Sequence, residues 1–185
     1  MKKLCSNAIV SKALLGLTPL FAFALYTNAA HAQEWDRKDA LKADLSPFEQ
    51  VPSVLAPSRG SFEAEINEDG TISFQLSYAN MSSPVVQAHI HFGASRTNGG
   101  VVVFLCGGNV KPACPASGTV TGTITASDVS ILPVSNSDSV IPQGLQPGDL
   151  AGLIKAIRSG DTYVNVHTTT FPSGEIRGQV HMDSY

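Results

Sequence analysis

The sequence predicts a mainly β fold: an antiparallel Greek-key β-sandwich or flattened barrel, with one short helix near residues 149–159. Three observations support this class. Apolar and polar residues alternate through one long segment, further short apolar segments are separated by turn-forming residues, and one stretch alone has helical spacing. A length of 185 residues fits a single domain.

Composition narrows the function classes. Charged residues make up 15% of the chain, against about 25% in typical soluble domains, which argues against a disordered protein or a coiled coil. The formal net charge of −3 argues against nucleic-acid binding through a broad basic face. The sequence also lacks the motifs of P-loops, α/β-hydrolases and dinucleotide-binding folds.

The N-terminus has the pattern of a signal peptide. An apolar run extends from Ala13 to Tyr26 behind a lysine-rich start, and Ala30-His31-Ala32 fits a signal-peptidase site. The alternative, an uncleaved membrane anchor, needs a longer run. We therefore expect a signal peptide over residues 1–32 and a secreted or periplasmic protein without a membrane span after cleavage. Losing 32 residues and three lysines leaves 153 residues and changes the net charge from −3 to −6.

Processing would leave Cys106 and Cys114 as the remaining cysteines. An even pair in an oxidising compartment forms a disulfide by default. The glycines and prolines around the pair indicate a loop that such a bridge would stabilise. The alternative is a pair of thiolate metal ligands.

The start of the mature chain is predicted to be an arm followed by a hairpin. Residues 33–43 are mostly polar, so we expect a loose N-terminal arm ahead of a domain over residues 44–185. Apolar side chains then occupy alternate positions of residues 62–66 and 72–78. Residues 67–70 between them have the composition of a tight turn.

Three more strands and one helix follow. The strands are predicted over residues 85–92, 101–105 and 119–126. Residues 101–105 are continuously apolar, which is typical of a strand covered on both faces. Residues 127–146 lack a period and are interpreted as a long connection. Helical spacing is found for the apolar residues Leu150, Leu153, Ile154 and Ile157. Asp149 is the expected N-terminal acid or cap of this helix, and Gly160 is expected to end it.

The last predicted hairpin pairs residues 163–170 with residues 175–182. A three-residue loop that ends at Gly174 would place His167 opposite Gln179 and Asn165 opposite His181. One face of this hairpin is polar. The other face is filled by valine and isoleucine side chains.

The histidines are the candidate metal ligands. His89 and His91 lie two residues apart on a predicted strand, so their side chains leave the same face with Cα atoms about 6.6 Å apart. His167 on the last hairpin is the third candidate, and neutral imidazoles suit copper or zinc. Residues that could serve as outer-shell partners or a fourth ligand are Asn165, Glu175, Gln179 and His181. The alternative is that these side chains only form hydrogen bonds within the sheet.

Several segments carry a family resemblance. One is Ala88-His89-Ile90-His91-Phe92-Gly93 with Asn98-Gly99-Gly100-Val101-Val102, and another is Tyr163-Val164-Asn165-Val166-His167-Thr168 with Pro172-Ser173-Gly174-Glu175-Ile176-Arg177-Gly178-Gln179. Val51-Pro52-Ser53-Val54 ahead of Ser58-Arg59-Gly60 is the third. Together they resemble the CHRD (chordin-type) domain family over roughly residues 44–181, as a single-domain secreted microbial member. The resemblance implies a β-sandwich that is immunoglobulin-like or similar to copper/zinc superoxide dismutase.

The resemblance favours a secreted or periplasmic, non-enzymatic binding module with an extracellular protein or ligand as its partner. Such a module could carry a copper or zinc ion on His89, His91 and His167. The alternative is a mononuclear copper redox protein similar to superoxide dismutase. Four histidines in the mature chain are too few for an imidazole-bridged copper–zinc pair.

Overall fold

The computed structural model describes residues 39–116, 118–129 and 143–183. Strands with alternating apolar side chains form two antiparallel sheets in this part of the chain. The strands in chain order are β1 (Ala40–Leu45), β2 (Arg59–Ile66), β3 (Ile72–Ala79), β4 (Val85–Phe92), β5 (Gly100–Gly107), β6 (Gly118–Ile124), β7 (Thr162–Thr168), β8 (Ile176–Gln179) and β9 (His181–Met182). The helix α1 (Leu150–Arg158) precedes β7, and short 3-10 turns span Pro47–Glu49 and Ala126–Asp128.

The two sheets form a sandwich. The five-stranded sheet has the order β6-β3-β2-β1-β9, and the four-stranded sheet has the order β5-β4-β7-β8. The chain moves between the sheets after β3, β5, β6 and β8, so β7 pairs with β4 and β8 and not with β6, which precedes it in the sequence. The predicted mainly β sandwich with one short helix is confirmed.

Some of the sequence predictions concern residues that the structure does not describe. The predicted signal peptide, residues 33–38 of the predicted arm and residues 130–142 of the predicted long connection lie outside the described residues. Within the described ranges, no helix is long and apolar enough to cross a membrane.

The structure differs from the predicted N-terminal arm at β1. Ala40–Ala43, expected to be loose, belong to this interior strand, which pairs with β2 on one side and β9 on the other. Its buried residues are Leu41, Ala43 and Leu45, and they alternate with polar residues. This alternation is short and includes a small side chain, so it gives a weaker signal than the hairpin that follows.

The first predicted hairpin is confirmed, and the structure gives its register. Phe62 lies opposite Leu76, and Ile66 lies opposite Ile72. These four side chains are at most 7% exposed and face the other sheet. Gly70 closes the turn with a φ of +80°, a backbone conformation that glycine adopts without steric cost.

The core between the sheets determines which face of each strand is left for a site. Ala88 and Ile90 of β4 and Val164 and Val166 of β7 are fully buried in this core. Because side chains alternate along a strand, the residues between them lie on the outer face of the four-stranded sheet. The helix α1 begins at the predicted cap, where the Asp149 carboxylate accepts a hydrogen bond from the Gly152 amide at 2.8 Å.

The last hairpin corrects the predicted register. Tyr163 pairs with Gln179 and Asn165 pairs with Arg177, so His181 does not lie opposite Asn165, nor Gln179 opposite His167. The connection between β7 and β8 is longer than the predicted three residues, because β7 ends at Thr168 and β8 begins at Ile176. The predicted second strand is also divided, and its end forms β9 in the five-stranded sheet.

The predicted disulfide between Cys106 and Cys114 is confirmed. It connects the end of β5 to the loop before β6, across a sequence separation of 8 residues. A covalent link of this kind restricts the unfolded chain and fits an oxidising compartment.

Candidate metal centre

Three histidines converge on the outer face of the four-stranded sheet. β4 carries His89 and His91, and β7 carries His167. The centroid of the His89 ring lies 4.6 Å from that of His91 and 4.4 Å from that of His167. Ligand atoms of the three residues lie within 4.8 Å of one another. The structure therefore brings together the three residues that the sequence nominated as ligands.

Hydrogen bonds determine which ring nitrogens are available to a metal. His91 Nδ1 donates to the Gly99 carbonyl at 2.8 Å, and His167 Nδ1 donates to the Pro172 carbonyl at 2.9 Å. A carbonyl oxygen only accepts, so both rings carry their proton on Nδ1 and present a lone pair at Nε2. Those two Nε2 atoms and Nδ1 of His89 are buried without a hydrogen-bond partner. Buried polar atoms are nearly always paired, so three unpaired nitrogens in one place indicate a ligand.

Burial keeps the three imidazoles neutral. It lowers the pKa of His91 to about 3, against the opposing effect of the Gly99 carbonyl. Burial also holds the pKa of His89 well below its ordinary value, and the neighbouring histidines lower that pKa further. The pKa of His167 is lowered by burial and partly restored by the Pro172 carbonyl. A metal therefore meets lone pairs at neutral pH, without displacing protons.

Loops cover this outer sheet face and bury the rings. The β4–β5 loop supplies the Gly99 carbonyl, and the β7–β8 loop supplies the Pro172 carbonyl. The β1–β2 loop supplies Gln50, whose Nε2 donates to Asn165 Oδ1 at 2.7 Å. As a result, the exposed fractions of the three histidines are only 2–8%. The strand pattern predicts that the histidines share one face of the sheet, but it does not predict that these loops cover that face.

A cleft of about 550 Å³ lies over the rings. The three histidines line it together with Val51 and Pro52 from one loop and Asn98 and Ser173 from the others. Neither a carboxylate nor a thiol is among the described residues that line it. An ion held by the three histidines alone would have a further coordination position on the side of this cleft.

Tyr163 and Arg177 belong to the surroundings of the site and were not predicted. The Tyr163 ring stacks on His91 with a centroid distance of 4.5 Å and an interplanar angle of 6°. The Arg177 guanidinium carbon lies 3.4 Å from the centroid of the same ring. Since β7 lies between β4 and β8, His91 and Arg177 approach Tyr163 from opposite sides. The corrected register brings these three residues together, so a sequence analysis with a different register could not find them.

Asn165 is the predicted outer-shell residue that the structure places at the site. It lies between His89 and Arg177 in the strand register and is 5% exposed. Its hydrogen bond with Gln50 depends on the absence of a side chain at Gly174. A Cβ atom there would approach Asn165 Oδ1 to 2.4 Å and Gln50 Nε2 to 2.6 Å.

Glu175 was predicted as an outer-shell residue, but the hydrogen bonds found for its carboxylate go to residues other than the histidines. Its carboxylate accepts hydrogen bonds from the Ser82 amide at 2.8 Å, the Ser82 hydroxyl at 2.9 Å and the Thr168 hydroxyl at 2.6 Å. Burial raises the pKa of Glu175, but these hydrogen bonds outweigh that effect and hold it below its ordinary value. Glu175 thus connects the β7–β8 loop to the β3–β4 loop.

Gln179 and His181 also have other roles than predicted. Gln179 Nε2 donates to the carbonyls of Gly93 at 3.0 Å and Gly160 at 2.7 Å, so it connects two loops at the end of the sheet. His181 is exposed in β9 of the other sheet. The register correction explains both outcomes, because a shifted pairing moves these residues away from His167 and Asn165.

The three histidines could hold a metal ion. Zinc–nitrogen bonds are about 2.0–2.1 Å long, so two nitrogens on one tetrahedral ion lie about 3.4 Å apart. The ligand atoms of the three histidines lie within 4.8 Å of one another, a separation of the same order.

Comparison with known proteins adds one match. The sequence model of the CHRD domain family matches residues 41–180. No curated protein and no solved structure matches the chain.

Proposed function

The chain belongs to the CHRD domain family, and we propose that it is a secreted or periplasmic, non-enzymatic binding module that holds a copper or zinc ion on His89, His91 and His167. One observation carries the metal assignment: the three unpaired, buried nitrogens that converge in one place. Family membership supports the binding module. The disulfide and the N-terminal signal pattern support the compartment.

Titration calorimetry of the mature, tag-free protein with Cu(II) and with Zn(II) tests the metal assignment. We expect one ion per chain with a dissociation constant in the micromolar range or below. His167→Ala should abolish this binding, because a buried ligand is lost. His181→Ala is the matched control, since it removes an exposed histidine from the other sheet.

Two outcomes would contradict the metal assignment. One is the absence of micromolar binding in the wild-type protein, and the other is unchanged binding by a folded His167→Ala variant. Circular dichroism of each variant shows whether it is folded. The secretion proposal has its own test, the N-terminal residue of the protein recovered from its native compartment, which should be Gln33.

The open position over the histidines favours a second candidate, a mononuclear copper redox protein. An ion whose fourth position faces a cleft can exchange ligands with solvent, which an inner-sphere redox reaction requires. Superoxide consumption by the copper-loaded protein discriminates between the two candidates. Superoxide consumption by the wild-type protein that is lost in His91→Ala supports the redox protein. If the wild-type protein consumes no more superoxide than the variant does, the binding module is supported.

A further inference from the structure

The proposed metal centre would carry a net positive charge. The three ligands are neutral imidazoles, so a divalent ion would keep its full charge. The described residues that line the cleft include no carboxylate. A buried charge is costly unless a countercharge compensates it.

Arg177 adds a second buried positive charge. The side chain is 2% exposed, and its guanidinium is separated from the ligand His91 by the Tyr163 ring. Among the described residues, no carboxylate lies within 4 Å of Arg177, and Nη2 donates to the Ala94 carbonyl at 3.3 Å. The acid that acts on it electrostatically is Glu49, which is exposed. The cation–π contact orients the guanidinium without neutralising it.

The cleft is built to admit a ligand that could supply the missing negative charge. Its volume of about 550 Å³ exceeds that of a single water molecule many times over. Gln87, Asn98 and Ser173 line it and offer side-chain hydrogen-bond donors. Donors of this kind beside a metal position, with the Arg177 cation behind the Tyr163 ring that lines the cleft, favour an oxyanion over a neutral or cationic ligand.

We infer that the open coordination position takes a carboxylate, which enters through the cleft and completes the metal centre. This inference rests on the proposed function and names the ligand class of the same site. The carboxylate could belong to a free small molecule or to an acidic side chain of a protein partner. In both cases one carboxylate oxygen coordinates the ion, and the ligand's negative charge offsets the positive charge of the ion and of Arg177 behind the Tyr163 ring.

Visible absorption of the Co(II)- or Cu(II)-loaded protein during titration with acetate tests the inference. We expect a saturable spectral change with acetate and no change with acetamide, which has the same shape without the charge. Arg177→Gln should weaken acetate binding about tenfold, because it removes one charge from a partly buried site. Arg158→Gln removes an exposed charge from α1 and should leave the affinity unchanged.

The two carboxylate sources are distinguished with a capped tripeptide that contains aspartate, compared with the same peptide containing asparagine. Tighter binding of the aspartate peptide than of acetate assigns the site to a protein partner. Equal or weaker binding assigns it to a small molecule. Because the Arg177 variant could fail to fold, the acetate–acetamide comparison on the wild-type protein decides the inference by itself.

A loaded protein that does not respond to acetate, or responds equally to acetamide, overturns this inference and leaves the proposed function standing. Elemental analysis of the same sample distinguishes a failure of this inference from a failure of the proposed metal site. A sample without stoichiometric metal overturns the proposed function, and the inference with it.

Discussion

Acidification should destabilise the metal-free protein through its buried histidines. His91 has a pKa of about 3 in the folded protein and an ordinary value of 6.5. Between these pH values the unfolded chain binds more protons than the folded one, so the free energy of unfolding falls as the pH falls. Lowering the pH from about 7.5 to about 5 should cost about 2 kcal/mol through His91 alone. His89 adds to this loss, because its pKa is also well below 6.5.

Urea unfolding followed by far-ultraviolet circular dichroism measures the loss. The useful quantity is the change in unfolding free energy between the two pH values. That change should be smaller in His91→Gln than in the wild-type protein by about 2 kcal/mol. His181→Gln is the control and should behave like the wild type. An identical pH dependence in the wild type and in His91→Gln would refute the reasoning, since His91 would then titrate equally in both states.

Three further perturbations test the structural account by urea unfolding. Gly174→Ala should lower the free energy of unfolding by about 1–3 kcal/mol more than Gly70→Ala does. Both glycines have a positive φ, but only at Gly174 would a Cβ meet neighbouring atoms. Equal losses in the two variants would contradict this clash. Glu175→Gln should cost about 1–3 kcal/mol and leave metal affinity unchanged; a changed affinity would return Glu175 to the metal site. Removing the Cys106–Cys114 bridge should cost about 2–3 kcal/mol, and an unchanged midpoint would contradict its stabilising role.

The sequence was sufficient for features that depend on local periodicity. The hairpin of β2 with β3 follows from alternating side chains and a tight turn at Gly70. The shared face of His89 and His91 follows from their spacing on one strand. Signals of this kind are complete within a few residues, so no knowledge of distant contacts is needed.

Features that depend on loop length or on distant segments could not be predicted. The β7–β8 register was wrong because the predicted loop was too short. Glu175, which was expected to begin the second strand, lies in that loop and is hydrogen-bonded to Ser82, far away in the sequence. The same error concealed the contact of Arg177 with Tyr163. Likewise, Gln50 lies in a loop without a periodic signal, and only the folded chain brings it to Asn165.

Anomalous diffraction from crystals loaded with copper or zinc tests the metal centre most directly. We predict one strong peak per chain at about 2.0–2.1 Å from three nitrogens: Nδ1 of His89, Nε2 of His91 and Nε2 of His167. A loaded crystal with no peak among these atoms, or with peaks only at exposed groups such as His181, would contradict the assignment.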